Sequence, residues 1–346
     1  MKKNLRDYQE VAYAKVFERL KAGVTKQVIV LPTGAGKTLL ASRIAGQFKR
    51  ILFMSHTEEL ISQSGSALLS EFYPDLSLNE VVNQHGDLIE YFRYLQKNTL
   101  FVPAQELNRF GIIKADLFKI DNHITLASFQ TIHRRLDKIP ANWFDLVIVD
   151  ECDLAMAESV KRTLDYLKPE LLIGLTATPT RTDGASLATN FDEIVSQYPL
   201  AKAIEEGYLC ELDCIQLKTQ LNLDNVRTTA GEFNQKDLKE AVDTDARNQM
   251  LVDKYKQYAD GKQNVVFCVD VEHAKNVCKK FQEAGYKAEF IVGDKEETPD
   301  RLAVINRFKS GQTQILTNCM ILTAGFDHPA IGCITLASPT KSLRKF

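Results

Sequence analysis

Leu31-Pro32-Thr33-Gly34-Ala35-Gly36-Lys37-Thr38 decides how this chain folds. Before it, Gln27-Val28-Ile29-Val30-Leu31 is apolar and β-branched, the composition of a buried strand. After it, Leu39, Leu40, Ile44 and Phe48 recur at helical spacing. A strand, a glycine turn and a helix N-terminus together make a phosphate cradle. Backbone N–H groups converge there, the helix dipole favours negative charge, and glycines let the chain come close. Thr33, Gly34, Ala35 and Gly36 would supply the cradle, Lys37 would reach the β- and γ-phosphates, and Thr38 would ligate Mg²⁺. One position departs: the pattern opens with glycine, and Leu31 stands there. The competing reading is a glycine-rich turn with a chance Lys-Thr, and the correct flanks weigh against it.

At 346 residues the chain is long enough for two α/β cores. Its 43 basic and 45 acidic residues leave a formal net charge of −2. A nucleic-acid partner would therefore be held by a local groove and not by an overall field. The cysteines are 152, 210, 214, 268, 278, 319 and 333, and only Cys210 and Cys214 are close in sequence. Without a second Cys/His pair nearby they fit neither zinc spacing nor a disulfide frame, and read as reduced thiols of a cytoplasmic protein. Met1-Lys2-Lys3-Asn4-Leu5-Arg6 has no apolar signal segment, and no apolar run approaches the ~20 residues of a membrane span.

Along the chain, Leu5-Arg6-Asp7-Tyr8-Gln9-Glu10 leads into a helix with Val11, Ala14, Val16, Phe17 and Leu20 on its apolar side. Gln9 has two readings, a solvated helix-start residue or an amide that both donates to and accepts from an adenine edge. Arg50-Ile51-Leu52-Phe53-Met54-Ser55 reads as a second strand, and His56-Thr57-Glu58-Glu59-Leu60 opens a helix. The polar and aromatic stretch of about 71–110, in which Asp87 to Leu95 looks helical, carries no assignable chemistry and reads as an insertion or a partner surface. Phe144–Val149 is a strand that delivers Asp150-Glu151-Cys152-Asp153 at its carboxyl end. Ligands of open α/β sheets bind beyond those ends, so both carboxylates would face the cradle. Asp150 would hold Mg²⁺ and Glu151 would orient and deprotonate an attacking water. Leu171–Leu175 is the next strand and runs into Thr176-Ala177-Thr178-Pro179, either a capped turn or a sensor of the γ-phosphate.

Arg-Asp-Tyr-Gln, LPTGAGKT, VDEC, LTATP and, later, Leu322-Thr323-Ala324-Gly325-Phe326-Asp327 occur in the order of the superfamily 2 helicases. The chain resembles the branch of type III restriction subunits and DEAD/DEAH-like DNA helicases over nearly its whole length. That resemblance implies an α/β fold of two RecA-like domains in tandem, the first about 1–205 and the second about 245–346, joined by a segment 206–244. It implies ATP as ligand, with Gly325 and Asp327 facing the nucleotide from the second domain. Nucleic acid, DNA in preference to RNA, would be gripped through its phosphates by the segment after His56, by Ser128–Thr131 and by Thr323. Arg181 has two readings, steadying the cleft or lying solvated in a turn.

Three departures accompany the resemblance. Asp153 stands where the family has histidine, a carboxylate that could accept from Thr176 or Thr178 but would repel phosphate. Thr57 replaces a common arginine. The family's Gln-x-x-Gly-Arg-x-x-Arg helix, which carries arginine fingers, does not follow Ser338–Phe346, so the second domain is expected to be truncated before it. A natural fragment, a shortened piece, or a split protein completed by a second chain would each account for that. The expected function is an ATP-dependent DNA helicase or translocase, or the larger part of one. The alternative is an ATP-binding nucleic-acid clamp with little turnover.

Overall fold

Strand-forming runs and helical spacings alternate along the chain, and the computed structural model turns that alternation into two parallel α/β sheets. It describes residues 4–56, 58–73, 88–98, 110–155, 157–179, 187–217, 226–229, 232–293, 297–298, 300–319, 321–322, 326 and 328–339. The chain divides into two units, Met1–Asp213 and Cys214–Phe346.

The first unit begins with α1 (Asp7–Lys21), β1 (Lys26–Val30), α2 (Lys37–Ala45), β2 (Ile51–Ser55) and α3 (Glu58–Phe72). It continues through α4 (Leu88–Lys97), the strands β3 (Phe110–Lys114), β4 (Leu117–Phe118) and β5 (Ile124–Ser128), and the short α5 (Phe129–Ile132). β6 (Leu146–Asp150), α6 (Glu158–Leu167), β7 (Leu171–Thr176), β8 (Glu193–Gln197) and α7 (Leu200–Glu205) complete it. The sheet order is β4-β3-β5-β2-β6-β7-β1-β8, parallel except for the β3–β4 hairpin. Central strands are buried on both faces, which is why they read as continuous apolar runs. Ile29, Ile51, Phe53 and Ile148 pack on one face with residues of α1 to α4, and Val28, Leu52, Val147 and Val149 on the other with α5 and α6. A fully buried side chain of this kind contributes about 1.5–3 kcal/mol.

Two close approaches tighten this sheet. A Cβ on Gly111 would stand 2.2 Å from the Lys119 carbonyl oxygen, so β3 and β4 can lie together only around a glycine. A Cβ on Gly174 in β7 would meet Phe191 Cζ at 2.7 Å and Cys152 Sγ at 2.8 Å. The stretch expected to be an insertion supplies part of this core, since α4 buries Leu88, Ile89, Tyr91, Phe92 and Leu95.

The second unit carries a small hairpin, β9 (Thr228–Thr229) and β10 (Glu232–Phe233), then α8 (Gln235–Val242) and α9 (Asp245–Tyr258). β11 (Gln263–Phe267), α10 (Val271–Glu283), β12 (Ala288–Ile291), α11 (Arg301–Lys309), β13 (Ile315–Asn318) and β14 (Ile331–Leu336) follow. Its sheet, β12-β13-β11-β14, is parallel throughout. Val266 and Ile315 face one core, Val265 and Leu316 the other. Leu238 and Val242 of α8 pack with Val269, so part of the expected connecting segment is built onto this unit. Asp270 and Asp300 cap α10 and α11, accepting from His273 N and Ala303 N at 2.8 Å each.

Candidate active site

The cradle forms between β1 and α2. Leu31, where the pattern has glycine, donates its N–H to the Thr176 carbonyl at 3.0 Å and is fully buried in the core with Leu40 and Ile44. That position continues the strand, so it takes an apolar side chain. Gly34 and Gly36 adopt φ +81° and +77°, the left-handed region that side chains resist. Gly36 caps α2 and Lys37 is its first residue. Thr33 and Gly34 are exposed, Ala35 is buried, and Lys37 and Thr38 are half-buried.

Gln9 is 1 % exposed, so it is not a solvated helix-start residue. Its carboxamide nitrogen donates to the carbonyls of Ala35 at 3.0 Å and Gly36 at 3.1 Å, and its oxygen accepts from Arg6 N at 2.9 Å. Tyr8 joins it, donating its hydroxyl to Ala35 O at 2.8 Å. The Tyr8 ring stacks on Tyr198 with centroids 4.1 Å apart and meets Tyr208 edge-on at 5.0 Å. The Arg6 guanidinium lies 5.0 Å over Tyr208. Burial, with Glu206 accepting from its hydroxyl, pushes the Tyr198 phenol up.

Opposite the cradle, β6 ends at Asp150, paired in register with Leu175 of β7. The Asp150 carboxylate is 6 % exposed; Ser64 Oγ donates to it at 2.8 Å and Glu151 N at 3.2 Å. Burial pushes its pKa up, against the pull of the Ser64 hydrogen bond and of Lys37. Glu151 then turns out of the strand at φ +47°, ψ +54°, a left-handed conformation strained for glutamate. That turn sets Glu151 Oε1 3.6 Å from Lys37 Nζ. The P-loop lysine and the strand-end carboxylate are thereby in one place. Asp153 is fully buried and accepts from Thr176 Oγ1 at 2.8 Å, and Thr178 N donates to the same hydroxyl at 3.1 Å. Burial raises the neighbouring Cys152 thiol well above its ordinary value, which keeps it inert.

Thr38 and Asp150 offer hard oxygen donors, the kind Mg²⁺ takes alongside phosphates and water. Among the described residues no cluster of three or more His, Cys, Asp or Glu forms a protein cage for a metal. The donor set fits magnesium held jointly with a nucleotide.

Of the candidate strand contacts, His56 and Phe129 lie with ring centroids 6.1 Å apart. Ser128 is buried with its hydroxyl donating to Thr131 Oγ1 at 2.9 Å, while Gln130 is exposed. Thr57, Arg181, Thr323, Gly325 and Asp327 lie outside the described residues. Ser64, Tyr198 and Tyr208 were not legible as site residues; only a helical register that includes polar positions could have pointed to Ser64.

A P-loop between strand and helix, facing paired carboxylates at a neighbouring strand end, defines a RecA-like P-loop domain. The chain belongs to the family of the type III restriction enzyme res subunit, whose family model matches residues 2–181. A second model, the helicase conserved C-terminal domain, matches residues 246–346. Both agree with the superfamily 2 resemblance. IRC3 of Saccharomyces cerevisiae, named as a candidate ATP-dependent helicase, is 29% identical over 98% of this chain and 47% of its own length. The type I restriction enzyme EcoAI endonuclease subunit of Escherichia coli is 25% identical over 99% of this chain and 43% of its own. The chain thus spans about half the length of these relatives. Among solved structures, a fragment of a candidate HsdR subunit of a type I restriction enzyme from Vibrio vulnificus YJ016 superposes with TM-score 0.66 at 22% identity. It covers 98% of this chain and 59% of that one, and shows the fold. Among the described residues no helix is long and apolar enough to cross a membrane.

Proposed function

We propose that this chain is the motor part of an ATP-dependent DNA helicase or translocase. The observation that carries the reading is the 3.6 Å approach of Lys37 Nζ to Glu151 Oε1 beside the buried Asp150. In this reading the backbone of Thr33, Gly34, Ala35 and Gly36 cradles the phosphates and Lys37 leaves Glu151 for the β- and γ-phosphates. Glu151, released, accepts a proton from the attacking water. Thr38 and Asp150 would hold magnesium, which when bound would neutralise charge on the phosphates. Gln9 holds the turn and is a candidate reader of the base. Gly325 and Asp327 remain candidates from the family resemblance alone. The domain limits of about 1–205 and 245–346 belong to the same reading.

DNA is favoured over RNA because relatives are named as restriction enzyme subunits and, in Sulfurisphaera tokodaii, as the DNA 3'-5' translocase XPB2. A cytoplasmic setting is proposed on the cysteine spacing in the sequence, which fits neither a zinc site nor a disulfide frame. The clamp alternative rested partly on the repulsion Asp153 would exert on phosphate, and that support weakens because Thr176 donates to this carboxylate. The deciding experiment is ATP turnover by the purified chain, alone and with single- or double-stranded DNA. Strong stimulation by DNA is the expected result. Tight ATP binding with negligible turnover under every condition would favour the clamp, and no ATP binding would end both readings.

A further inference from the structure

Asp150 ends a strand, and a strand-end carboxylate has rotational freedom unless something holds it. One of its oxygens is held by Glu151 N, a contact built into the turn itself. The other is held from a different element altogether. Ser64, in the middle of α3, donates Oγ to Asp150 Oδ2 at 2.8 Å across 86 residues of sequence. The reach is possible because α3 comes unusually close to the sheet. Its next residue is Gly65, where a Cβ would stand 2.7 Å from Leu126 Cδ1. A small residue there brings the helix down onto β5, and the serine beside it meets the end of β6. α3 begins two residues beyond His56, whose ring neighbours Phe129 at the start of α5.

We propose that Ser64 is a positioning residue for magnesium-dependent nucleotide binding, fixing the Asp150 carboxylate so that one oxygen is committed to α3 and the carboxylate faces the P-loop. This rests on the reading of Asp150 as the magnesium carboxylate. The physical ground is general. Groups that hydrogen-bond a metal-holding carboxylate from behind set its orientation, and losing one typically costs about 10–100-fold in metal affinity. A hydroxyl donating to a carboxylate is also among the stronger hydrogen bonds a protein makes.

The test is the affinity of the chain for a fluorescent ATP analogue, measured with magnesium and again in EDTA. In the wild type, magnesium tightens binding. In Ser64→Ala that gain shrinks by about tenfold or more while affinity in EDTA stays close to wild type, and the melting temperature without nucleotide falls only by what one lost hydrogen bond to a buried carboxylate costs. Alanine suits a helix interior, so the variant folds. Ser64→Thr keeps the hydroxyl and restores the gain. If Ser64→Ala keeps the full magnesium gain, or if Ser64→Thr loses as much as alanine, the positioning role is wrong. If the wild type binds no nucleotide, or binds it equally well in EDTA, the reading of the site falls and the inference falls with it. The wild-type arm alone separates that failure from the first.

Discussion

The carboxamide nitrogen of Gln9 lies 2.5 Å from where a Cβ on Gly36 would stand. Helix α1 and the phosphate cradle are therefore fitted to each other at the one residue that must also adopt φ +77°. Gly36→Ala meets both obstacles, a left-handed backbone worth about 1–2 kcal/mol against alanine and a displaced Gln9. The expected outcome is lowered thermal stability and nucleotide affinity reduced at least tenfold, read by melting curves and by titration of a fluorescent nucleotide. Wild-type affinity in Gly36→Ala would show that the cradle does not need this geometry.

The ion pair between Lys37 and Glu151 separates two roles that single substitutions can divide. Lys37→Ala removes the phosphate-facing cation and is expected to abolish nucleotide binding or weaken it greatly. Glu151→Gln keeps the size and hydrogen-bonding capacity but cannot act as base, so binding persists while turnover falls about 10²–10⁴-fold. Equilibrium binding and phosphate release on the same preparations check both. Normal hydrolysis by Glu151→Gln would remove it from the role of base.

How much of this was legible in the sequence depends on distance along the chain. β1, β6 and β7 were readable because both their faces are buried, and burial on both faces leaves an unbroken apolar run. The cradle was readable because left-handed φ at Gly34 and Gly36 demands glycine at fixed offsets. Ser64 was not, since helical periodicity says which face is apolar and not that a polar residue beside that face reaches a carboxylate on another strand. Tyr8 stacking on Tyr198 was hidden for the same reason: stacking at 4.1 Å across 190 residues leaves no local pattern. Helix α4 was legible as a helix over Asp87 to Leu95, but its polar and aromatic surroundings masked its five buried side chains.

Thr176 and Asp153 carry the coupling between the strand-end carboxylates and the LTATP turn, bonded at 2.8 Å with both residues fully buried. Thr176→Val keeps the shape and removes the donor. Loss of a hydrogen bond to a buried carboxylate costs about 1–3 kcal/mol, so the urea midpoint of the first unit should fall accordingly. Turnover should fall as well, because Thr178 N also donates to this hydroxyl and the turn loses its anchor. An unchanged midpoint would mean the bond contributes nothing net.

Gln9→Ala distinguishes two roles for one amide. All of its hydrogen-bonding groups engage backbone in this structure, two donations to the cradle and one acceptance from Arg6. Its loss is expected to weaken ATP binding about tenfold by loosening the turn. Competition between ATP and GTP supplies the second readout. A relaxed preference adds base reading to the structural role, and an unchanged preference leaves Gln9 as a residue that holds the cradle.

His273 gives the second unit a defined response to acid. The residue is fully buried, its Nδ1 accepts from Val269 N at 3.2 Å, and its Nε2 faces Asn248 Oδ1 at 3.2 Å. An accepting Nδ1 fixes the neutral tautomer that donates from Nε2, and Asn248 in turn donates to Asp243 at 2.8 Å. Burial lowers the His273 pKa, opposed by the Asp243 and Asp270 carboxylates and reinforced by Arg247 and Lys239. The unfolded chain, with an ordinary histidine near pH 6.5, therefore binds more protons than the folded one below that pH. The contribution of this site is complete above about pH 6.5 and is lost as pH falls toward the lowered folded value, with a slope of at most about 1.4 kcal/mol per pH unit. Urea unfolding of wild type and His273→Gln between pH 5 and 8 checks it. The wild-type midpoint should fall more steeply on acidification than that of His273→Gln, and parallel curves would mean that another group carries the acid sensitivity.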